Sequence, residues 1–181
     1  MSINGRFIIT GGVGCGKSST LLELGLLGFT IFEEAARNLI RDPYIISKKL
    51  LPWNNRALFD KYLIERMLID YANAEVDQIS FFDRGLPDLI GWAEHSNLNV
   101  SKYLDIICKH PYNNNVFFLR PDKNYYEKDL ERPFSFRESV LIGEYVRKGY
   151  VKLNYNIVDV PVYSPTQMAK HIALLARQFI K

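Results

Sequence analysis

Arg6-Phe-Ile-Ile-Thr-Gly-Gly-Val-Gly-Cys-Gly-Lys-Ser-Ser19 is the stretch whose reading decides the fold. Its first half, Arg6 to Thr10, is short, rich in β-branched and aromatic residues, and runs straight into glycines, as a buried strand entering a turn does. Its second half fits the pattern GxxxxGK[ST] from Gly11 to Ser18. The glycines let the backbone curl around an anion with its N–H groups turned inward, and a helix expected from Lys17 to about Leu27 adds the positive end of its dipole. The pattern assigns Gly12, Val13, Gly14, Cys15, Gly16, Lys17, Ser18 and Ser19 to a cradle for the phosphates of a nucleoside triphosphate. Lys17 is placed to reach the β- and γ-phosphates and Ser18 to put its hydroxyl on Mg²⁺.

Working outward, Gly28 stops the first helix, Phe29 to Phe32 reads as a second strand, and Glu33 to Ile40 as a helix ended by Asp42-Pro43. From Asn54 to about Ala74 the apolar stripe carried by Phe59, Leu63 and Met67 predicts a long, largely buried helix. Ile79 to Phe82 is a third strand, ending in Asp83-Arg84-Gly85, and Val116 to Leu119 a fourth, ending in Arg120-Pro121. Helices are expected within Pro87 to His95 and Ser101 to Lys109. The polar segment 122–133 has charge of both signs and little periodicity, as an exposed loop or short mobile helix has, and a mobile lid is expected at about 122–137. A helix from Phe134 to about Leu153 and a fifth strand, Asn156 to Val160, come next. The last helix opens on Ser164-Pro165-Thr166-Gln167, a serine cap with proline at the first helical position and glutamine three residues after the cap. Five short apolar strands alternating with helices predict an α/β chain, a parallel sheet covered on both faces, in one domain over residues 1–181.

Composition is consistent with this. The chain has 181 residues, 48% hydrophobic and 13% aromatic, enough for a packed core. Its 23 basic and 20 acidic residues leave a charge of +3 and are spread along the chain, so no nucleic-acid partner is expected. Cys15 and Cys108 cannot build a disulfide framework, and the N-terminus lacks a basic stretch followed by a long apolar run. No apolar run reaches a membrane-spanning length, which predicts a cytoplasmic protein with free thiols.

Further candidate residues follow the ends of the expected strands, the edge where open α/β sheets bind ligands. Asp83 ends an apolar strand, where an aspartate can hold Mg²⁺ and accept the proton of an attacking hydroxyl. Arg84 is a candidate for a transferring or acceptor phosphate. Glu34 and Arg37, three apart, would share a helix face and read an acceptor molecule, or simply stabilise the helix as an i,i+3 pair. In the basic run Arg120, Lys123, Lys128, Arg132 and Arg137, the arginines Arg132 and Arg137 are the candidates for neutralising a transferring phosphoryl group.

The pieces FIITGGVGCGKSSTLLEL, EEAAR, FFDRGLPDLI, VFFLRP and YVKLNYNIVDVP (Tyr150 to Pro161) give the chain a resemblance to the small P-loop proteins described as AAA-type ATPases. These look like nucleoside and nucleotide kinases and are similar to the ribosylnicotinamide kinase domain. The resemblance implies a three-layer, kinase-like P-loop fold with five parallel strands in the order 2-3-1-4-5. It also implies phosphate binding by Gly14, Gly16, Lys17 and Ser18, and Mg²⁺ or base chemistry at Asp83. A ring-forming motor normally carries an Asp-Glu pair on its third strand; here Arg84 follows Asp83, so a motor is not expected.

Two functions fit. One is a kinase that transfers the γ-phosphate of ATP to a nucleoside-like or other small acceptor, with the region around Trp53 helping to form the acceptor pocket. The other is a regulatory protein that binds ATP or GTP, orders a segment for a partner, and hydrolyses slowly at most. The run Pro121-Asp122-Lys123-Asn124 does not have the order of the guanine-reading Asn-Lys-x-Asp signature, which favours ATP over GTP.

Overall fold

The structure, a computed structural model, describes residues 4–75, 77–123, 126 and 134–180. Among these residues, strands β1 (Arg6–Gly11), β2 (Thr30–Phe32), β3 (Ser80–Asp83), β4 (Asn115–Leu119) and β5 (Asn156–Val160) form one sheet. The helices are α1 (Lys17–Leu26), α2 (Ala35–Arg41), α3 (Pro43–Ser47), α4 (Arg56–Asn73), α5 (Asp88–His95), α6 (Ser101–Lys109), α7 (Phe136–Lys152) and α8 (Pro165–Phe179). The strand order is β2-β3-β1-β4-β5 and every pairing is parallel; the strand pattern predicts the parallel sheet and the resemblance implies its order. This is the P-loop NTPase fold in its kinase-like form.

Strand alternation sends successive side chains to opposite layers. Phe7, Ile9, Phe81, Phe117 and Leu119 pack against Leu21 and Leu24 of α1 and Met168, Ile172 and Ala176 of α8. Ile8, Phe82, Val116 and Phe118 pack on the other side against α4, α5, α6 and α7. The central strands β1 and β3 are buried throughout, while β2 and β5 at the edges are only partly covered. Such strands read as continuous apolar runs because both faces of a parallel sheet are covered.

Within the second layer α5 and α7 approach at backbone distance. A Cβ on Gly91 would lie 2.4 Å from the Cα of Val146, and one on Gly149 3.0 Å from the nitrogen of Gly91. Any side chain at Gly91 would force the helices apart.

Most element ends agree with the sequence reading within two residues. Gly28, at φ 89°, follows α1 and supplies the left-handed residue that closes a helix. The start of α8 carries the expected capping box between Ser164 and Gln167. α7 begins at Phe136 because Ser135 caps it, in a second capping box with Glu138. The short helix α3 was not anticipated. Asp42-Pro43 does end α2, but Asp42 also accepts from the backbone nitrogens of Tyr44 (2.7 Å) and Ile45 (3.3 Å), so the same dipeptide starts a new helix. Most of the expected lid, including Lys128 and Arg132, lies outside the described residues. No described helix is long and apolar enough to cross a membrane.

Candidate functional site

β1 delivers its last residue, Gly11, into the glycine-rich loop, and the parallel sheet brings the ends of β2, β3 and β4 to the same edge. Gly14 (φ 69°) and Gly16 (φ 81°) take left-handed conformations that a side chain would oppose, and they bend the loop back onto the start of α1. α1 opens with no side-chain cap and no acidic residue in its first turn, so its first N–H groups are left for another acceptor. Lys17 is 3% exposed and its Nζ donates to the carbonyl of Gly12 at 2.6 Å. Cys15 is buried and free, with its thiol 3.1 Å from the same carbonyl; Cys108 is also free. Ser19 points to the exposed side of α1.

Asp83, the last residue of β3, is 2% exposed. One of its oxygens accepts from the hydroxyl of Ser18 at 2.9 Å, so the two residues expected to share a metal ion touch. Its other oxygen, Oδ1, is buried with no hydrogen-bond donor among the described residues. Burial pushes the Asp83 carboxyl above its ordinary range, and the nearby Glu34 charge adds to this; Lys17, Arg84 and the Ser18 hydroxyl oppose it.

Arg84 sits at φ 71°, a conformation uncommon for a residue with a side chain, and it is 6% exposed. Its Nε donates to Glu34 at 3.2 Å, and one terminal nitrogen donates both to Asp88 at 3.0 Å and to the carbonyl of Gly11 at 3.1 Å. The second terminal nitrogen is buried without a partner among the described residues. Burial works against the charge of Arg84, but Glu34, Asp88 and Asp83 outweigh it and hold the guanidinium protonated.

Asp88 is where the polar network converges. Its carboxylate accepts from the Thr10 hydroxyl (2.6 Å), the Tyr150 hydroxyl (2.6 Å), the backbone nitrogen of Gly85 (3.0 Å) and Arg84. It ties β1, the loop after β3, α5 and α7 together. On the opposite side of the phosphate loop, the buried Ser139 of α7 donates to the carbonyl of Val13. A Cβ on Gly12 would meet the Ser139 carbonyl at 2.6 Å, so α7 backs the loop directly.

Beside the loop lies a cavity of about 340 Å³, reached from Val13 and Asp83. Glu34, Arg37, Arg84 and Asp88 also line it. Its walls come from Ile40, Trp53, Arg56, Phe59, Leu63, Met67, Leu89, Trp92 and Phe134, so the long helix α4 and the region of Trp53 form a pocket as anticipated. Glu34 and Arg37 both line it, but Glu34 is the residue before α2 and pairs with Arg84, fifty positions away in sequence. Arg120 is held by Asp159 on the surface at 3.2 Å, and Arg137 is exposed on the first turn of α7. Asp88, Tyr150, Thr10 and Ser139 escaped the sequence reading. An aspartate at a helix start looks like an ordinary dipole partner, and only the second acid in Asp-Arg-Gly-Leu-Pro-Asp hinted at more.

The loop, the uncapped helix and the paired Ser18 and Asp83 together suit a bound triphosphate and a hard, oxygen-liganded cation. Comparison with solved structures finds the same architecture in kinases. Shikimate kinase from Aquifex aeolicus is 19% identical, aligned over 96% of each chain with a TM-score of 0.57. Shikimate kinase from Acinetobacter baumannii in complex with shikimate is 12% identical, aligned over 98% of this chain and 95% of that one with a TM-score of 0.64. Deoxyadenosine kinase from M. mycoides with bound dATP is 17% identical, aligned over 95% of this chain and 99% of that one with a TM-score of 0.57. At these identities the likeness concerns the fold. No curated protein matches the chain. The profile of the AAA domain family matches residues 6–167, nearly the whole chain, and the protein therefore belongs to the AAA domain family.

Proposed function

We propose that this protein is a Mg²⁺-dependent phosphotransferase that moves the γ-phosphate of ATP to a hydroxyl of a small acceptor. The observation that carries the reading is that one carboxylate serves two compartments: Asp83 is hydrogen-bonded to Ser18 of the phosphate loop and also lines the adjoining cavity. A protein that only senses a nucleotide has no use for a pocket against the loop's reactive end.

In this reading the backbone of Gly12 to Ser19 binds the phosphates, and Lys17 exchanges the Gly12 carbonyl for their oxygens. Ser18 and Asp83 hold the metal, which when bound neutralises charge on the β- and γ-phosphates. Asp83 also orients the acceptor hydroxyl and takes its proton. With no donor on its Oδ1 among the described residues, the carboxylate has an oxygen left to receive that hydroxyl. The hydroxyl oxygen forms a bond to the γ-phosphorus as the bond from that phosphorus to the β–γ bridging oxygen breaks, and ADP leaves. Glu34 and Arg84 form the wall on the acceptor side. Arg137, at the start of α7, and Arg132 are the candidates for bringing positive charge to the transferring group.

The test is ADP production from ATP and Mg²⁺ with a panel of nucleosides, nucleotides and sugars. The proposal expects one class to raise the rate above the buffer rate and Asp83→Asn to abolish that increase. If no acceptor does so and Asp83→Asn leaves nucleotide affinity intact, a nucleotide-dependent switch replaces it.

A further inference from the structure

The cavity beside the phosphate loop is lined by aromatic side chains together with acids and arginines. Trp53, Phe59, Trp92 and Phe134 line it. Trp53 is 63% exposed although it stands at the cavity, leaving a large apolar face that a bound flat ring would cover. Trp92 is already steadied, with its ring 6.2 Å from that of Phe134 and the Arg84 guanidinium 5.7 Å from its centroid.

The ionisable residues lining the cavity are three acids, Glu34, Asp83 and Asp88, and three arginines, Arg37, Arg56 and Arg84. Two of these arginines are already matched by carboxylates. Arg84 is shared between Glu34 and Asp88, and Arg56 is bound at 2.7 Å by Asp60, a further buried carboxylate just behind the wall. An acceptor that brings its own phosphate or carboxylate would place more negative charge among these acids and beside the triphosphate of the donor. Clefts that take such anions present an excess of positive charge. The described residues of this cavity do not.

Resting on the phosphotransferase reading, we infer that the acceptor is an unphosphorylated nucleoside. Its base would lie against Trp53 between the aromatic walls, and its sugar hydroxyl would donate to Asp83, whose Oδ1 lacks a donor. Walls of this kind accept any flat base, while the charge balance among the described residues disfavours a phosphate on the sugar.

Both tryptophans of the chain line the cavity, so intrinsic fluorescence reports its occupancy directly. With the donor site filled by a non-hydrolysable ATP analogue and Mg²⁺, the full chain is titrated with adenosine, guanosine, cytidine and thymidine, with their 5′-monophosphates, and with shikimate. Binding is read by fluorescence and by calorimetry in parallel. At least one nucleoside is expected to quench, with its monophosphate binding at least about ten-fold more weakly. Trp53→Leu, at an exposed position, is expected to weaken that nucleoside about ten-fold by loss of stacking. A monophosphate or shikimate that binds as tightly as every nucleoside, or no nucleoside binding by either readout, overturns the inference. Nucleoside binding without ADP production sinks the kinase reading alone. ADP production driven by a phosphorylated or carboxylated acceptor sinks the nucleoside alone.

Discussion

Against α1 and α8 the sheet presents Phe7, Ile9, Phe81, Phe117 and Leu119, whose rings and branches fill a layer with one another; Phe7 alone has Phe81, Phe117 and Phe179 within 6.5 Å. Against α5 and α7 the neighbouring strand positions also pack apolar side chains, but at the carboxyl end Thr10 reaches Asp88, and Asp88 reaches Tyr150 and Arg84. The first layer needs only volume and shape. The second holds buried charge, which is tolerated because each carboxylate and guanidinium has partners, and which becomes costlier as partners are lost. One face of the sheet thus contributes packing alone, and the other contributes both packing and the polar network of the candidate site.

Substitutions can break that contrast or sharpen it. The largest effect is expected at Phe7, fully buried in the apolar layer. Phe7→Ala should cost about 3–5 kcal/mol in denaturant unfolding, while the folded fraction keeps its nucleotide affinity. Equal losses of affinity and stability would show that the layers are not separable.

Asp83→Asn should do the reverse. Turnover should fall at least about 100-fold, roughly 3 kcal/mol in the barrier. Because the folded protein holds this carboxyl above its ordinary value of 3.8, the native state binds the proton more tightly than the unfolded chain. The contribution of Asp83 to stability is therefore complete below that value and is lost as pH rises through the raised one. The Asn variant should melt higher than the parent near neutral pH, with the gap closing in acid. A variant that melts lower at neutral pH would show that the pairings with Ser18 and Lys17 outweigh burial.

Tyr150→Phe removes one of the donors to Asp88 without changing the packing of a fully buried ring. A loss of about 1–2 kcal/mol is expected in thermal unfolding, together with weaker turnover, since Asp88 holds Arg84. Unchanged turnover would separate Asp88 from the site.

The smallest effect belongs to the surface. Asp159, 42% exposed and held by Arg147 and Arg120, has its carboxyl below the ordinary range, so its contribution is present above 3.8 and is lost as pH falls through the lowered value. Asp159→Asn should cost less than about 1 kcal/mol at neutral pH, and less again in high salt. A larger cost would mark the edge strand β5 as more critical than its exposure suggests.

Much of this was legible in the residues. The strands, the sheet order implied by resemblance, and the phosphate loop depend on local pattern, and local pattern is what a sequence displays. The pairing of Glu34 with Arg84 could not be read that way, because the i,i+3 spacing to Arg37 offered a nearer and equally plausible partner. The pairing exists only once β2 and β3 lie side by side. Asp88 was hidden for a similar reason: two of its four donors, Thr10 and Tyr150, come from elements distant in sequence, and only the fold brings them to it. α3 was missed because Asp-Pro both stops one helix and starts another.

α7 has 17 residues and so is a rod about 25 Å long. It is pinned near one end by Ser139 to Val13, near the other by Tyr150 to Asp88, and in between it is seated backbone to backbone on Gly91. A rod fixed in this way cannot slide or roll without loosening both pins together. The carbonyl of Val13 and the anchor of Arg84 are consequently both tied to one helix, so a rigid shift of α7 would strain both contacts.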